Sequence, residues 1–471
     1  MPALHVESNY SLMAQGTYTQ HAASYRDPSG FVFTYNGEVY RQVNQVYKQN
    51  FDLLISSGLY RELSGKGLLI EHKQIDQNFT GQEQWYTTLK PERLNYISYP
   101  FEWCFDQLKD AALLTLQIAE LAVEYGMILK DATPYNVQLH KGKVVFIDSL
   151  SFEEYDVTLP WIAYRQFCET FLAPLALMHY HQQPLQPLLQ SYPDGIPLNI
   201  ASSLLPLKSM LNLHTYLHIH FQNKLAAKKN ETRTEVNFSK KKLITLFRSL
   251  RSAIGSFKLS SKGVWSDYYE EAKERDSYLS EKKEIVTRWI KSIPAITTAI
   301  DLGANDGTFS EILSNSATNV ICVDGDHFAI NKLYNSISNN SRRIYPLVMD
   351  LAHTSPAIGF NNLERTSFNT RTKGEVVLAL ALIHHLAIGK NIPFKSLAEF
   401  FSRLGKTLII EFVPKDDPKV QVMLNQRKDV FEWYSETEFI KEFNKYFKIN
   451  ESTKIVGSER TLYQMKTLEK Q

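Results

Sequence analysis

In the second half of the chain, a series of apolar, β-prone runs each closes on an acid or a histidine. The run Thr298-Ala-Ile-Asp-Leu-Gly-Ala-Asn-Asp-Gly-Thr-Phe-Ser310 reaches Asp301, turns through Gly303 and Gly307, and continues into helix formers. Strand, glycine turn and helix in that order form a nucleotide-cofactor site. The glycines let backbone approach a ligand where a side chain would clash. The Gly-Lys-Ser/Thr ending of a P-loop is missing, and Asp301 and Asp306 are poor neighbours for a pyrophosphate. Carboxylates there suit a ligand with a cationic end, such as an amino group or a sulfonium. The next run, Val320-Ile-Cys-Val-Asp-Gly-Asp326, places Asp324 23 residues after Asp301. At about that separation an acid can bind both hydroxyls of a ribose. Asp326 is set to cap the helix that follows. Ile344–Asp350 closes on a third acid, Glu375–Leu386 on His384 and His385, and Leu404–Glu411 on Glu411. A histidine titrates near neutral pH and can serve as a general base. Successive strand residues point to opposite sides, so one of the pair is expected to face the site, with His384 preferred.

A second constellation lies earlier, in Met127-Ile-Leu-Lys-Asp-Ala-Thr-Pro-Tyr-Asn136 and the residues after it. Val137–His140 and Lys143–Ile147 read as two short strands joined across Lys141-Gly142. Such a hairpin brings Asn136 and Asp148 side by side, with Asp131 one short loop away. Two carboxylates and an amide at a hairpin mouth suit magnesium and phosphate.

The elements that must position these groups follow from pattern. Continuous apolar runs separated by helical stretches predict a parallel sheet covered on both faces over about residues 265–471. Trp433, Tyr434 and Arg460–Tyr463 read as a helix and a closing antiparallel hairpin. In the first half, Phe31–Val43 alternates around Asn36-Gly37, a strong hairpin signal. The apolar stretch Ala111–Leu129 carries Gln117, Glu120 and Glu124, which suits a partly buried helix and excludes a membrane span. His214 and His218 are one helical turn apart without an evident third ligand, so packing is expected. Lys224–Lys262 is basic, with only Glu231 and Glu235 as acids. It reads as a linker whose Leu243–Ile254 part forms a basic amphipathic helix, able to touch an anionic surface.

At 471 residues and 44% hydrophobic content the chain should hold two cores. A formal charge of +2, from 52 basic and 50 acidic residues, implies no general attraction to nucleic acid. Cys104, Cys168 and Cys322 lack metal-like spacing and fit a reduced cytoplasmic protein. The N-terminus lacks the basic start and apolar core of a signal peptide. The expected plan is a flexible arm at 1–21, an α+β domain at 22–223, a basic linker at 224–264 and an α/β domain at 265–471.

Asp-Leu-Gly-x-x-x-Gly at 301–307 resembles the first motif of class I S-adenosylmethionine-dependent methyltransferases, and the later strand ends follow in order. The resemblance implies a Rossmann-like α/β domain binding S-adenosylmethionine through Asp301, Gly303, Asn305, Gly307, Asp324 and Asp350, the last beside adenine. It implies methyl transfer with His384 or His385 as base, Glu411 as a further candidate, and a preceding helical lid bringing Tyr268, Tyr269 or Tyr278 near the substrate. Asp131-x-x-x-x-Asn136 followed by Ile147-Asp148 resembles the catalytic loop and metal-binding acid of kinase-like phosphotransferases. That resemblance implies Asp131 as the catalytic acid residue, Asn136 and Asp148 as magnesium ligands, and ATP. The departures are Lys130 for the usual Arg, Ser149 where Phe-Gly is usual, no glycine-rich loop, and Arg41 as a loose stand-in for the nucleotide-gripping lysine. A degenerate, accessory kinase-like domain is therefore expected, with weak or absent ATP turnover. The pairing resembles bacterial methyltransferases grouped with host-specific nodulation proteins, and polysaccharide-modifying enzymes that join a kinase to a methyltransferase. Both imply a glycan or other small-molecule acceptor. A bifunctional kinase–methyltransferase and a non-catalytic scaffold are the competing readings.

Overall fold

Asn36 and Gly37 take left-handed φ values of 51° and 79°, the backbone that a two-residue type I′ hairpin requires. They join β2 (Gly30–Tyr35) to β3 (Glu38–Asn44). With β1 (Thr19–Gln20), β4 (His72–Ile75) and β5 (Trp85–Pro91) these form an antiparallel sheet ordered β1-β2-β3-β5-β4. Helices α1 (Lys48–Ser56) and α2 (Leu59–Gly65) complete the α+β segment. Phe31, Phe33 and Tyr40 bury an aromatic cluster there. The computed structural model describes residues 17–227, 238–260, 276–340, 343–425 and 428–469. Residues 1–16 of the expected arm, 228–237 and 261–264 of the expected linker, and Tyr268 and Tyr269 lie outside the described residues. The chain divides into two compact units between Arg93 and Leu94, whereas the sequence led us to expect a division within 224–264.

The second unit explains that difference. Helix α3 (Phe105–Glu124) buries Ala111, Ala112, Leu116, Ile118, Ala119, Ala122 and Val123. The hairpin β7 (Val137–His140) and β8 (Lys143–Phe146) follows β6 (Met127–Leu129), which pairs with β9 (Phe152–Glu154). Part of the expected tether is helix α4 (Lys240–Ser256), whose Leu243, Phe247, Leu250 and Ile254 are buried at helical spacing. It packs along α3, with Arg251 paired to Glu120 at 2.8 Å. His214 and His218 both meet Ser249 Oγ of α4, at 3.0 and 2.8 Å, so their role there is packing.

The remaining strands are β10 (Ile296–Leu302), β11 (Ala317–Asp324), β12 (Ile344–Val348), β13 (Gly374–Ala379), β14 (Gly405–Phe412), β15 (Phe447–Lys454) and β16 (Thr461–Thr467). They form one sheet ordered β12-β11-β10-β13-β14-β16-β15, parallel through β14, with β16 antiparallel to both neighbours. This is a Rossmann-like α/β domain. Its strand order reverses between β10 and β13, the switch point where such sheets bind ligands. The inserted antiparallel β16 departs from the dinucleotide-binding order. Helices α5 (Asp276–Lys291), α6 (Thr308–Ser314), α7 (His327–Asn340) and α8 (Phe394–Leu404) belong to this domain.

The start of α3 is tied directly to α7. The Phe105 N–H donates to His327 Nε2 at 3.0 Å, and Asn331 exchanges two hydrogen bonds with Asp106. Tyr334 donates to Asp110 at 2.9 Å. Nearby, Arg371 pairs with the buried Glu102, and Tyr96 bonds Thr372 at 2.8 Å. Residues 96–110 and the Rossmann-like domain therefore share buried surface.

Candidate functional site

A cleft of about 920 Å³ opens at the C-terminal edge of the parallel strands. Asp301, Gly303, Asn305, Asp324 and Asp350 line it, and so do Tyr278, Lys282, His385, Lys390 and Arg460. The acids lie at the strand ends, Lys282 and Arg460 gather around Glu411, and Lys390 pairs with Asp350.

The acidic strand ends are built locally. After β10 the chain turns through Gly303 at φ 77° and Asn305 at φ 49°. A Cβ on Gly303 would meet Leu382 at 3.4 Å and point into strained backbone space. Asp324 closes β11, and its carboxylate is clamped by two backbone donors: Asn305 N–H at 2.8 Å and Asp326 N–H at 2.8 Å. Asp326 in turn accepts from Phe328 N–H at 2.8 Å, at the start of α7. Asp301 is buried and accepts from Ser310 Oγ at 2.6 Å. Burial, reinforced by the nearby Asp324 charge, pushes Asp301 up to about 6 against the pull of Ser310. Burial also raises Asp324. A ligand bringing positive charge and hydroxyl donors would relieve both groups. Asp350 sits at the rim. Burial there is outweighed by a 2.6 Å bond from Lys390 and by the Ala352 N–H, which hold its carboxyl below the usual range.

Gly307 does not line the cleft. It precedes α6 at φ 87°, and a Cβ there would lie 2.4 Å from Leu333 Cδ1 on α7. Its left-handed backbone favours glycine, and an added Cβ would also press on the Leu333 side chain.

The histidines lie beyond the strand. β13 ends at Ala379, Ala381 takes φ 49°, and His384 and His385 sit in the helical turn that follows. Strand alternation, on which the preference for His384 rested, does not operate there. His384 is fully buried, with neither ring nitrogen hydrogen-bonded among the described residues. His385 lines the cleft, and burial together with the Arg460 charge lowers its pKa.

Glu411 is an anchor rather than a free carboxylate. It is fully buried and accepts from Tyr278 at 2.5 Å, Lys282 at 2.5 Å, Arg460 at 3.4 Å and the Ala381 N–H at 2.8 Å. Burial would raise it, but Lys282 and Arg460 bring it down to about 2. Arg460 also grips Asp417 through Nε at 2.7 Å and Nη2 at 3.1 Å. Asp417 is buried in that pairing. Lys282 and Arg460 were not foreseen as cleft residues. Lys282 lies on a helix 129 residues before Glu411, and only folding brings the two together.

In the earlier constellation, the Ile147 N–H donates to Asn136 O at 2.8 Å, closing the β7–β8 hairpin as expected from its turn. Asp131 accepts from Gln166 Nε2 at 2.7 Å. Burial and the charge of Asp148 raise its pKa against bonds from Asn136 and Gln166. Asp131, Asn136 and Asp148 are thus neighbours. Among the described residues no group of three or more His, Cys, Asp or Glu is arranged to hold a metal ion.

No protein-family model matches the chain. It is 31% identical over 456 residues to Nodulation protein NoeA of Rhizobium meliloti (strain 1021), covering 94% of this chain and 95% of that protein. Among solved structures, N-methyltransferase NodS from Bradyrhizobium japonicum WM9 aligns with 41% of this chain and 97% of its own at 12% identity and a TM-score of 0.32. The bifunctional kinase-methyltransferase WbdD aligns with 41% of this chain and 39% of its own at 16% identity and a TM-score of 0.27. Magnesium protoporphyrin IX methyltransferase from Synechocystis PCC 6803, with bound SAM, aligns with 56% of this chain and 99% of its own at 13% identity and a TM-score of 0.28. These structural likenesses are weak.

Proposed function

This chain belongs to the family of nodulation protein NoeA, and we propose that it is a class I S-adenosylmethionine-dependent methyltransferase acting on an oxygen of a small-molecule or glycan-type acceptor. The observation that carries the reading is Asp324. Its carboxylate faces the cleft beside a glycine turn, fixed by two backbone N–H groups, and is set to accept from both ribose hydroxyls. When bound, the cofactor supplies an electrophilic methyl group on a sulfonium. Asp301 would offer negative charge to its cationic end, Gly303 and Asn305 would give it a close backbone wall, and Asp350 would serve the adenine end. Gly307 acts through α6 and α7 instead. His385 takes the proton from the acceptor hydroxyl. Its lowered pKa leaves the ring neutral near pH ~7 and able to accept.

Residues 22–223 serve, in this reading, as an accessory kinase-like region with little or no phosphotransfer. Asp131 is engaged by Gln166, and the glycine loop that would hold nucleotide phosphates is missing from the sequence. The three cysteines are unpaired and buried, which fits assignment to the reducing cytoplasm. No helix among the described residues is long and apolar enough to cross a membrane.

The test is release of S-adenosylhomocysteine in the presence of candidate glycans, with a parallel Mg-ATP phosphotransfer assay. His385→Ala should lower methyl transfer by roughly 10²–10⁴-fold while cofactor affinity stays unchanged. An unaltered rate would remove His385 from the mechanism. Robust phosphotransfer abolished by Asp131→Ala would establish the bifunctional reading instead.

A further inference from the structure

The segment Leu204–Phe221 buries Leu205 and Ile219 but also turns several polar groups inward and several apolar ones outward. Ser209, Thr215, His218 and His220 are buried, while Leu207, Leu211 and Leu213 are exposed by 80%, 88% and 65%, and Met210 by 42%. The buried polar groups are satisfied. Ser209 Oγ bonds His220 Nε2 at 2.8 Å, Ser202 Oγ bonds His220 Nδ1 at 2.8 Å, and His218 bridges Tyr164 and Ser249 at 2.8 Å each. Single exposed apolar residues are ordinary. Four within one short stretch, presented by a polar underside, form a patch of the kind that marks an interaction surface.

Charge states what covers it. Between Asp194 and Glu231, and again between Glu235 and Asp267, the chain carries no acid. Lys208 is exposed inside the apolar stretch. Ser249, which both His214 and His218 contact, lies on α4, where Lys240, Lys241, Lys242 and Arg248 are exposed. Lys242 precedes Ser249 by seven residues, so it lies on the same helix face about two turns away. One exposed acid, Asp156, lies at the α4 end of this border, next to Val157, whose carbonyl accepts the Phe238 N–H at 2.8 Å. Leucines bordered by cations match an anionic bilayer, where apolar side chains enter the acyl boundary and lysines meet phosphates. A second copy of this chain would instead oppose like charges across the contact.

We propose that residues 204–217, with the N-terminal half of α4, form a peripheral docking site for an anionic lipid bilayer. It is independent of the cofactor cleft. The test is cosedimentation of the full chain with vesicles of phosphatidylcholine alone and of phosphatidylcholine mixed with phosphatidylglycerol. The chain should pellet with the anionic vesicles and be released by salt. Leu207→Gln with Leu211→Gln, and separately Lys241→Glu with Arg248→Glu, should each weaken binding by about tenfold or more, with unchanged thermal melting. These positions are exposed, so the variants should fold. Three results would overturn the proposal: a chain that stays in the supernatant, equal binding to neutral vesicles, or both variants binding like wild type. A dimer that the leucine variant dissociates, with no vesicle binding, would make the patch an interface between copies.

Discussion

Asp324 and Glu411 both close strands, yet their environments give them opposite fates. Asp324 is held by two backbone N–H groups and faces the cleft. Glu411 spends its oxygens on Tyr278, Lys282, Arg460 and the Ala381 N–H. His385 gives the prediction at this scale. A base works unprotonated, and its pKa is lowered by burial and by Arg460. Neutral His385 therefore persists as pH falls below its ordinary value of about 6.5. The profile of kcat/KM between about pH 5 and 8 should show its acid limb below ~6.5, and a limb centred above that value would exclude this histidine as the base. The acids at strand ends were legible because spacing within one βαβ unit places them. Lys282 and Arg460 were not, because each reaches the cleft from a distant element through long-range pairing with Glu411 and Asp417.

Among elements, the turn from β10 into α6 depends on Gly307 for a reason the motif alone does not state. With φ at 87° and the Leu333 methyl only 2.4 Å from a would-be Cβ, Gly307→Ala must strain the backbone and displace the Leu333 side chain. We expect a loss of about 1–3 kcal/mol in denaturant unfolding. Adding Leu333→Ala should restore part of the deficit relative to Leu333→Ala alone. If Gly307→Ala unfolds like wild type, the packing account of this glycine fails. The parallel strands were readable as continuous apolar runs, and the Asn36-Gly37 hairpin as a turn signal. The helical turn carrying His384 and His385 was not. Its left-handed Ala381 and the Glu411 bond to that residue's N–H end β13 early, and neither is visible in local pattern.

At the largest scale, buried cross-links within the second unit join the α3 region to the Rossmann-like domain. Glu102 and Arg371 pair across the α3 region and the Rossmann-like domain, both nearly inaccessible. Glu102→Ala would leave Arg371 uncompensated, and we expect about 3–5 kcal/mol of destabilisation by chemical denaturation. If the chain is cut at a protease site introduced between residues 227 and 238, the fragments should still co-elute, because α3, α4 and α7 stay packed. Fragments that separate freely would show that those contacts do not suffice. The central claim is that the acidic strand ends of the cleft bind S-adenosylmethionine through Asp324, and calorimetry measures it most directly. The wild-type chain should bind this cofactor. Asp324→Ala removes charged hydrogen bonds worth about 1.5–3 kcal/mol, so affinity should fall roughly ten- to a hundredfold with the fold intact. No binding by the wild type, or an unchanged Kd in the folded variant, would contradict the account.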